Sequence, residues 1–169
     1  MSLVLDEVIP TPQQTEILYR QLMIRSNNIS HKKIPELEEH AHFVSHHPYR
    51  AWYLVTDDKW VIGNVYVQFD NSIGLNCTVD ITKQKICIIL NMIMFKMSPL
   101  DAIPSVRHEN YSLNVDSSNS LLQKKLLNLG LVESQRTYTL DKKFIQNKKE
   151  WVLCSASMEK KLAVMNPLI

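Results

Sequence analysis

The chain has 169 residues, 45% of them hydrophobic and 21% charged, which suits a soluble globular domain with enough length for one sizeable core. Against 17 Asp and Glu stand 19 Lys and Arg, and the resulting net charge of +2 is too balanced to point to nucleic acid or an anionic membrane. Its 3 glycines, Gly63, Gly74 and Gly130, replace the dozen or so (about 7%) that typical usage gives, and they lie too far apart to form any glycine-rich phosphate loop.

The first seven residues carry Asp6 and Glu7 where a secretory signal would carry basic residues, so no signal peptide is expected. Thr11-Pro12 reads as an N-cap followed by proline at the first helical position, and Ile17, Leu18, Gln21, Leu22 and Met23 continue one helix face to about Arg25. Asn27, Asn28 and Ser30 break that helix. Glu36 to Glu39 then opens a second, which ends before Pro48. From Ala51 the texture turns β-branched and aromatic: Trp52–Val55, a turn at Asp57-Asp58, Trp60–Phe69, a turn at Asp70-Asn71, and Ile73–Val79 predict three antiparallel strands. Thr82 caps a third helix that is apolar on nearly every side and stops at Pro99. A strand over 111–115, a helix over 118–128 closed by Gly130, and strands over 131–140 and 151–156 complete the order ααβββαβαββ. The hairpin 141–150 is polar, and the tail 157–169 has room for a short helix.

The stretch Tyr49-Arg50-Ala51-Trp52-Tyr53, then Ile62-Gly63-Asn64-Val65-Tyr66, then Asn71-Ser72-Ile73-Gly74-Leu75 resembles the Gcn5-related N-acetyltransferase superfamily, especially bacterial members that acylate amino-sugars or other small amines. A second stretch, Tyr111 to Asn119 followed by Leu129-Gly130-Leu131 and Tyr138, is similar to the same family's later motif. The resemblance spans about residues 10–140. It implies one α/β (α+β) domain over 1–156, a mixed, mostly antiparallel sheet with helices on both faces, and a C-terminal extension over 157–169.

It also implies a site. In the family the fourth strand splays from the fifth and pairs by its backbone with the pantetheine arm of acyl-CoA, which here falls on Leu75, Asn76 and Cys77, with Leu75 and Cys77 polarising the thioester through backbone N–H. The pyrophosphate loop falls on Thr82, Lys83, Gln84 and Lys85, but Lys85 and Cys87 stand where the family has glycines and Thr82 where it has Gln or Arg. Lys83 and Lys85, two cations opposing a helix dipole, read either as a replacement phosphate site or as solvated lysines of an inactive homologue. Asn114 and Asn119 match asparagines near the cofactor arm, with strand-end and helix-capping roles as alternatives. Tyr49, Arg50 and Trp52 fall where the acceptor pocket begins. The family's tyrosine acid is replaced by Leu126 and its acidic base by Ser72, leaving Asp70 as a weak substitute base that also reads as a simple turn residue.

His40, His42, His46 and His47 lack companion ligands at a fixed spacing, so no metal site is expected. An odd number of cysteines, Cys77, Cys87 and Cys154, with no close pair suits a reducing cytoplasmic setting, and Cys77 reads as a buried strand residue rather than a nucleophile. The expected activity is N-acyl transfer, in the first place of acetyl, from acyl-CoA to a small-molecule amine or amino-sugar, with no nucleic-acid or membrane partner and a homodimer allowed. The alternative is a catalytically silent member that serves as a ligand-binding or assembly module.

Overall fold

The computed structural model describes residues 2–25 and 34–138. The chain divides into two compact units, Met1–Val132 and Glu133–Ile169. In the first the order is β1 (Leu3–Glu7), α1 (Pro12–Ile24), α2 (Leu37–Ser45), β2 (Ala51–Asp57), β3 (Trp60–Val67), β4 (Ser72–Cys77), α3 (Lys83–Lys96), β5 (Ser112–Leu113) and α4 (Ser120–Asn128). The described part of the second unit, 133–138, is irregular chain with an Arg136–Glu133 ion pair.

The helices begin where the capping chemistry puts them. Thr11 Oγ1 accepts from Gln14 N–H at α1, Thr82 Oγ1 from Lys85 N–H at α3, and Asn119 Oδ1 from Leu122 N–H at α4. At α2 the acidic turn closes a reciprocal box between Glu36 and Glu39.

The sheet runs β1-β2-β3-β4-β5, antiparallel except for the last, parallel pair. One strand is an addition to the sequence reading: β1 pairs in register with β2 from Leu3↔Asp57 to Glu7↔Tyr53. It was missed because three apolar residues followed by two acidic ones carry no two-residue alternation of their own; the edge of β2 supplies the order. The strand expected over 131–140 does not form across its described residues 131–138. The strand over 151–156, the hairpin 141–150, Cys154, the tail and the helix-breaking residues 27, 28 and 30 lie outside the described residues.

Side-chain alternation divides the sheet between two cores. Tyr53, Val55, Val65, Val67, Ile73 and Leu75 pack with Ile86, Ile89 and Ile93 of α3 and Leu126 of α4. Trp52 and Leu54 face the other way, onto Leu18 of α1 and Val44 of α2. Helices therefore cover both faces. Leu126 belongs to the first core. Between Val55↔Gly63 and Thr56↔Val61 the register shifts by one residue, leaving Ile62 as the bulged residue. No helix among the described residues is long and apolar enough to cross a membrane.

Asn71, wholly buried at φ 66°, turns the chain from β3 into β4 and clamps the 98–110 loop. Its Nδ2 donates to Leu100 O and His108 O, both at 2.8 Å, and its Oδ1 accepts from Leu100 N–H at 2.8 Å. Asn71→Ala strands these loop groups and places a poorly suited residue at positive φ. It should cost roughly 2–4 kcal/mol, read as a lower urea midpoint with unchanged slope. Gly63→Ala should cost about 1–3 kcal/mol in the same assay, because its Cβ would lie 2.2 Å from the backbone oxygen of Asn76, which cannot swing away.

Candidate functional site

A polar side chain in an apolar strand is the first sign of a site. Asn64 stands on β3 at 8% exposure, on the face toward α1 and α2. Its Oδ1 accepts from Trp52 Nε1–H at 3.2 Å and from Asn76 Nδ2 at 3.3 Å, and its Nδ2 donates to Gln21 Oε1 at 2.7 Å. Gln21 Nε2 in turn donates to Gly63 O at 3.4 Å. The chain of amides links β2, β3, β4 and α1 and fixes each amide's orientation.

Beside this network lies a cavity of about 270 Å³. Leu18, Gln21 and Leu22 of α1, its C-cap Arg25, and Glu39, His40 and Phe43 of α2 cover it, while Trp52, Asn64, Tyr66 and the segment Asn76-Cys77-Thr78 form its sheet side. Aromatic rings shape one wall. Tyr49 stacks on Tyr66 with centroids 4.2 Å apart and planes 13° apart, and meets Trp52 edge-on at 5.2 Å. Tyr66 in turn lies flat on Gly74, where a Cβ would fall 2.0 Å from its ring.

Burial favours the neutral forms of Tyr49, Tyr66, Cys77 and His40. Desolvation, with the neighbouring Tyr66, pushes Tyr49 up to about 12, and it raises Tyr66 too; the Arg25 guanidinium opposes both shifts. Burial pushes the Cys77 thiol up to about 12, against the pull of Lys125, so it is no nucleophile near neutral pH. His40, 6% exposed, is lowered by desolvation, and its Nε2 is buried without a hydrogen-bond partner among the described residues.

A second feature adjoins the cavity. β4 pairs with β5 only at Ser72↔Ser112 and Ile73↔Leu113, and the ladder ends with Asn114 N–H donating to Ile73 O at 3.1 Å. Since Ile73 O points toward β5, strand alternation directs the backbone groups of Leu75 and Cys77 to the same edge. No described strand pairs with that edge beyond Ile73.

The residues singled out from sequence fall into three places. Tyr49, Trp52, Asn76 and Cys77 line the cavity, and Leu75 shares the free β4 edge. Arg50 stands apart from the cavity lining: its Nη2 donates to Ser98 O at 3.0 Å, which ties the start of β2 to the chain after α3. Asp70 is exposed, and its Oδ1 accepts from Ser72 N–H at 2.8 Å, the turn role. Ser72 itself is 3% exposed. Asn119 spends its Oδ1 on capping α4, and Asn114 closes the β4–β5 ladder through its backbone.

At the α3 N-terminus, Thr82 is the cap, and Lys83 and Gln84 are exposed. Lys85 departs from the expectation of two solvated or phosphate-ready lysines, because its Nζ forms an ion pair with Asp57 at the end of β2. Asp57 Oδ1 is buried without a hydrogen-bond partner among the described residues. Sequence reasoning passed over Gln21, Asn64 and Arg25. Gln21 and Asn64 each left a signal, a polar residue inside an apolar face, whereas a terminal Arg on a helix leaves none.

Among the described residues no group of three or more His, Cys, Asp or Glu is placed to hold a metal ion; His42 and His46 stack on each other at 4.4 Å. No family model matches the chain, and no curated protein matches it.

Two expectations follow. Asn64→Leu strands Trp52 Nε1–H, Asn76 Nδ2 and Gln21 Oε1. It should cost at least about 1–3 kcal/mol and shift the Trp fluorescence of the folded state. His40 and His47 both have lowered folded values, so the unfolded chain takes up protons that the folded one refuses as pH falls below 6.5. Their contribution is present above pH 6.5 and is lost as pH falls through the folded values. Urea melts at pH 7.5 and pH 5 should show this loss, and His40→Asn should reduce the difference.

Proposed function

We propose that the chain is an N-acyltransferase that moves an acyl group, in the first place acetyl, from acyl-CoA to the amine of a small molecule by direct transfer. The observation that carries this reading is the free edge of β4 at Leu75 and Cys77 beside a partly open aromatic cavity: an extended backbone edge for the donor's pantetheine arm, next to a pocket for an acceptor. The resemblance in the 49–75 and 111–138 motifs supports the same reading.

In the reaction, the acceptor ammonium loses a proton to water or a nearby base, and the neutral amine attacks the thioester carbonyl. A backbone N–H of Leu75 or Cys77 donates to the oxygen as negative charge develops there. The attacking nitrogen, cationic once the C–N bond forms, then loses its second proton, the C–S bond breaks, and the departing thiolate takes up that proton directly or through water. Cys77 contributes backbone only, since its thiol stays protonated. Holding donor and acceptor together supplies most of the rate, so the reaction does not require the acid and base positions that Leu126 and Ser72 now occupy.

The donor's pyrophosphate would lie on the first turn of α3, where the N–H groups of Lys83 and Gln84 and the Lys83 ammonium are the available donors. A second reading, a non-catalytic ligand-binding or assembly module, is favoured by one observation: Lys85 is committed to Asp57 and the Thr82 hydroxyl to Lys85 N–H.

Calorimetry with acetyl-CoA, CoA and inorganic pyrophosphate separates the two. The enzyme reading expects acetyl-CoA to bind, several-fold weaker in Lys83→Ala and several-fold tighter in Asp57→Asn, which releases Lys85. Absence of binding up to millimolar acetyl-CoA would falsify the enzyme reading and leave the module.

A further inference from the structure

One polar group in the cavity wall takes no part in the amide network. α2 turns His40 and Val44, four residues apart, to its buried side. Val44 joins the apolar cluster of Leu18, Trp52 and Leu54, whereas His40 lines the cavity at 6% exposure. Gln21 and Asn64, buried polar residues of the same wall, satisfy their amides within the fold. The Nε2 of His40 is buried without a hydrogen-bond partner among the described residues. Its ring neighbour Tyr19, 5.4 Å away, gives its hydroxyl to Pro35 O instead. A dry, unpaired ring nitrogen leaves a demand for a partner, and the cavity that the ring lines is where a ligand supplies one. The χ2 torsion of histidine is broad, so meeting that ligand takes little rearrangement.

The other titratable groups of the lining narrow the role. Tyr49, Tyr66 and Cys77 are raised by burial and hold their protons near neutral pH. Arg25 is a cation. Glu39 is exposed, and its Oε2 accepts from Glu36 N–H at 3.2 Å as half of the α2 capping box. Burial lowers His40, so at pH 7 its ring is neutral and carries a lone pair on one nitrogen. A small molecule in the cavity lies between this ring on α2 and the Asn76-Cys77 segment of β4, beside which the thioester is placed.

We infer that His40 is the base of the acceptor cavity: its Nε2 accepts a hydrogen bond from the ammonium of a small primary amine and takes that proton before the amine attacks. One N–H bond of the ammonium breaks, its electron pair stays on the amine nitrogen, and the imidazolium so formed returns the proton to water. The proton transfer rests on the acyltransferase reading; the amine contact does not.

The test uses the full chain and three pairs of probes, each an amine and its uncharged counterpart: phenethylamine and 2-phenylethanol, 3-methylbutylamine and 3-methylbutanol, D-glucosamine and D-glucose. Binding is read by NMR of the nitrogen-labelled histidine rings, with His40 identified by the signal that His40→Gln lacks. The expected result is that at least one amine shifts the His40 Nε2 resonance saturably at pH 7.5, with that nitrogen unprotonated. The same amine should move the midpoint of the ring's titration down by about one pH unit, a tenfold preference for the neutral ring, because an imidazolium repels the bound ammonium. The uncharged counterpart should move it less. No perturbation of His40 by any amine at tens of millimolar, an Nε2 that keeps its proton with the amine bound, or equal displacement by amine and counterpart overturns the assignment.

Thiol release from acetyl-CoA keeps the two proposals separate. For an amine that is acylated, kcat/KM should rise with pH to a plateau along a limb centred below 6.5. His40→Gln should lower the plateau roughly a hundredfold and leave a rate that keeps climbing as free amine replaces ammonium, a change of profile that a merely structural role would not produce. Acylation with the same limb in His40→Gln, or a limb that moves in Glu39→Gln instead, keeps the acyltransferase and removes His40 as its base. An amine contact at His40 without thiol release leaves the contact and removes the acyltransferase.

Discussion

Asn64 decides what the α1/α2 face of the sheet can be. A side chain of its size at that place on β3 would ordinarily be apolar and would let α1 settle onto the strands. An amide instead requires partners in every direction it presents, and it finds them in Trp52 on one neighbouring strand, Asn76 on the other and Gln21 on the helix above. Each partner is thereby kept from packing as a pure hydrophobe. Gln21 stands off the sheet at the length of two amide side chains, and the space beside that spacer is the cavity. The opposite face has no such residue, and there Ile86, Ile89 and Ile93 pack directly on Val55, Val65 and Val67 with no exposure at all.

The two strand glycines complete this division, each by what it lacks. Gly74 has no Cβ, so Tyr66 can lie flat across β4, and only from that position can Tyr49 stack on it and turn a strand face into an aromatic wall. Gly63 brings the backbones of β3 and β4 close, and its own carbonyl accepts from Gln21 Nε2. A protein with 3 glycines in all has therefore placed two of them where the sheet meets the cavity. Scarcity of glycine at α3, where Lys85 and Cys87 stand, has the contrary effect: that helix begins with side chains rather than with bare N–H groups.

Elements with strong local chemistry were legible in the sequence. Thr11-Pro12, Thr82 and Asn119 announce helices through hydrogen bonds made within four residues, and the Asp58 and Asn71 turns do the same for the hairpins, with both residues at positive φ. The strand β1 was not legible, since its order comes from pairing with residues some fifty positions away. The same distinction governs the site. Tyr49 and Trp52, which both line the cavity, stood out only through the resemblance, which implies an acceptor pocket beginning there. The identity of the cation beside them did not, because Arg50 is adjacent in sequence while Arg25 arrives on another helix. Arg50 donates to Ser98 O outside the cavity lining, whereas Arg25 is among the lining residues.

The commitment of Lys85 to Asp57 bears on how a donor could be held at all. A first-turn cation is unfavourable by roughly 0.3–1 kcal/mol against the helix dipole, and a carboxylate at the end of β2 answers it from within the fold. What remains for a ligand at α3 is the N–H groups of its first turn and the exposed Lys83, a weaker phosphate cradle than a glycine loop. The backbone edge at Leu75 and Cys77 is indifferent to that loss, because its hydrogen bonds need no particular side chain. Affinity for a thioester donor would then reside more in the arm along β4 than in the phosphates, and a donor carrying the arm without a nucleotide would lose little. Substituting pantetheine thioesters for acyl-CoA measures that division directly: similar KM for the two places the donor's affinity on β4, and a large rise in KM with the shorter donor places it back on α3.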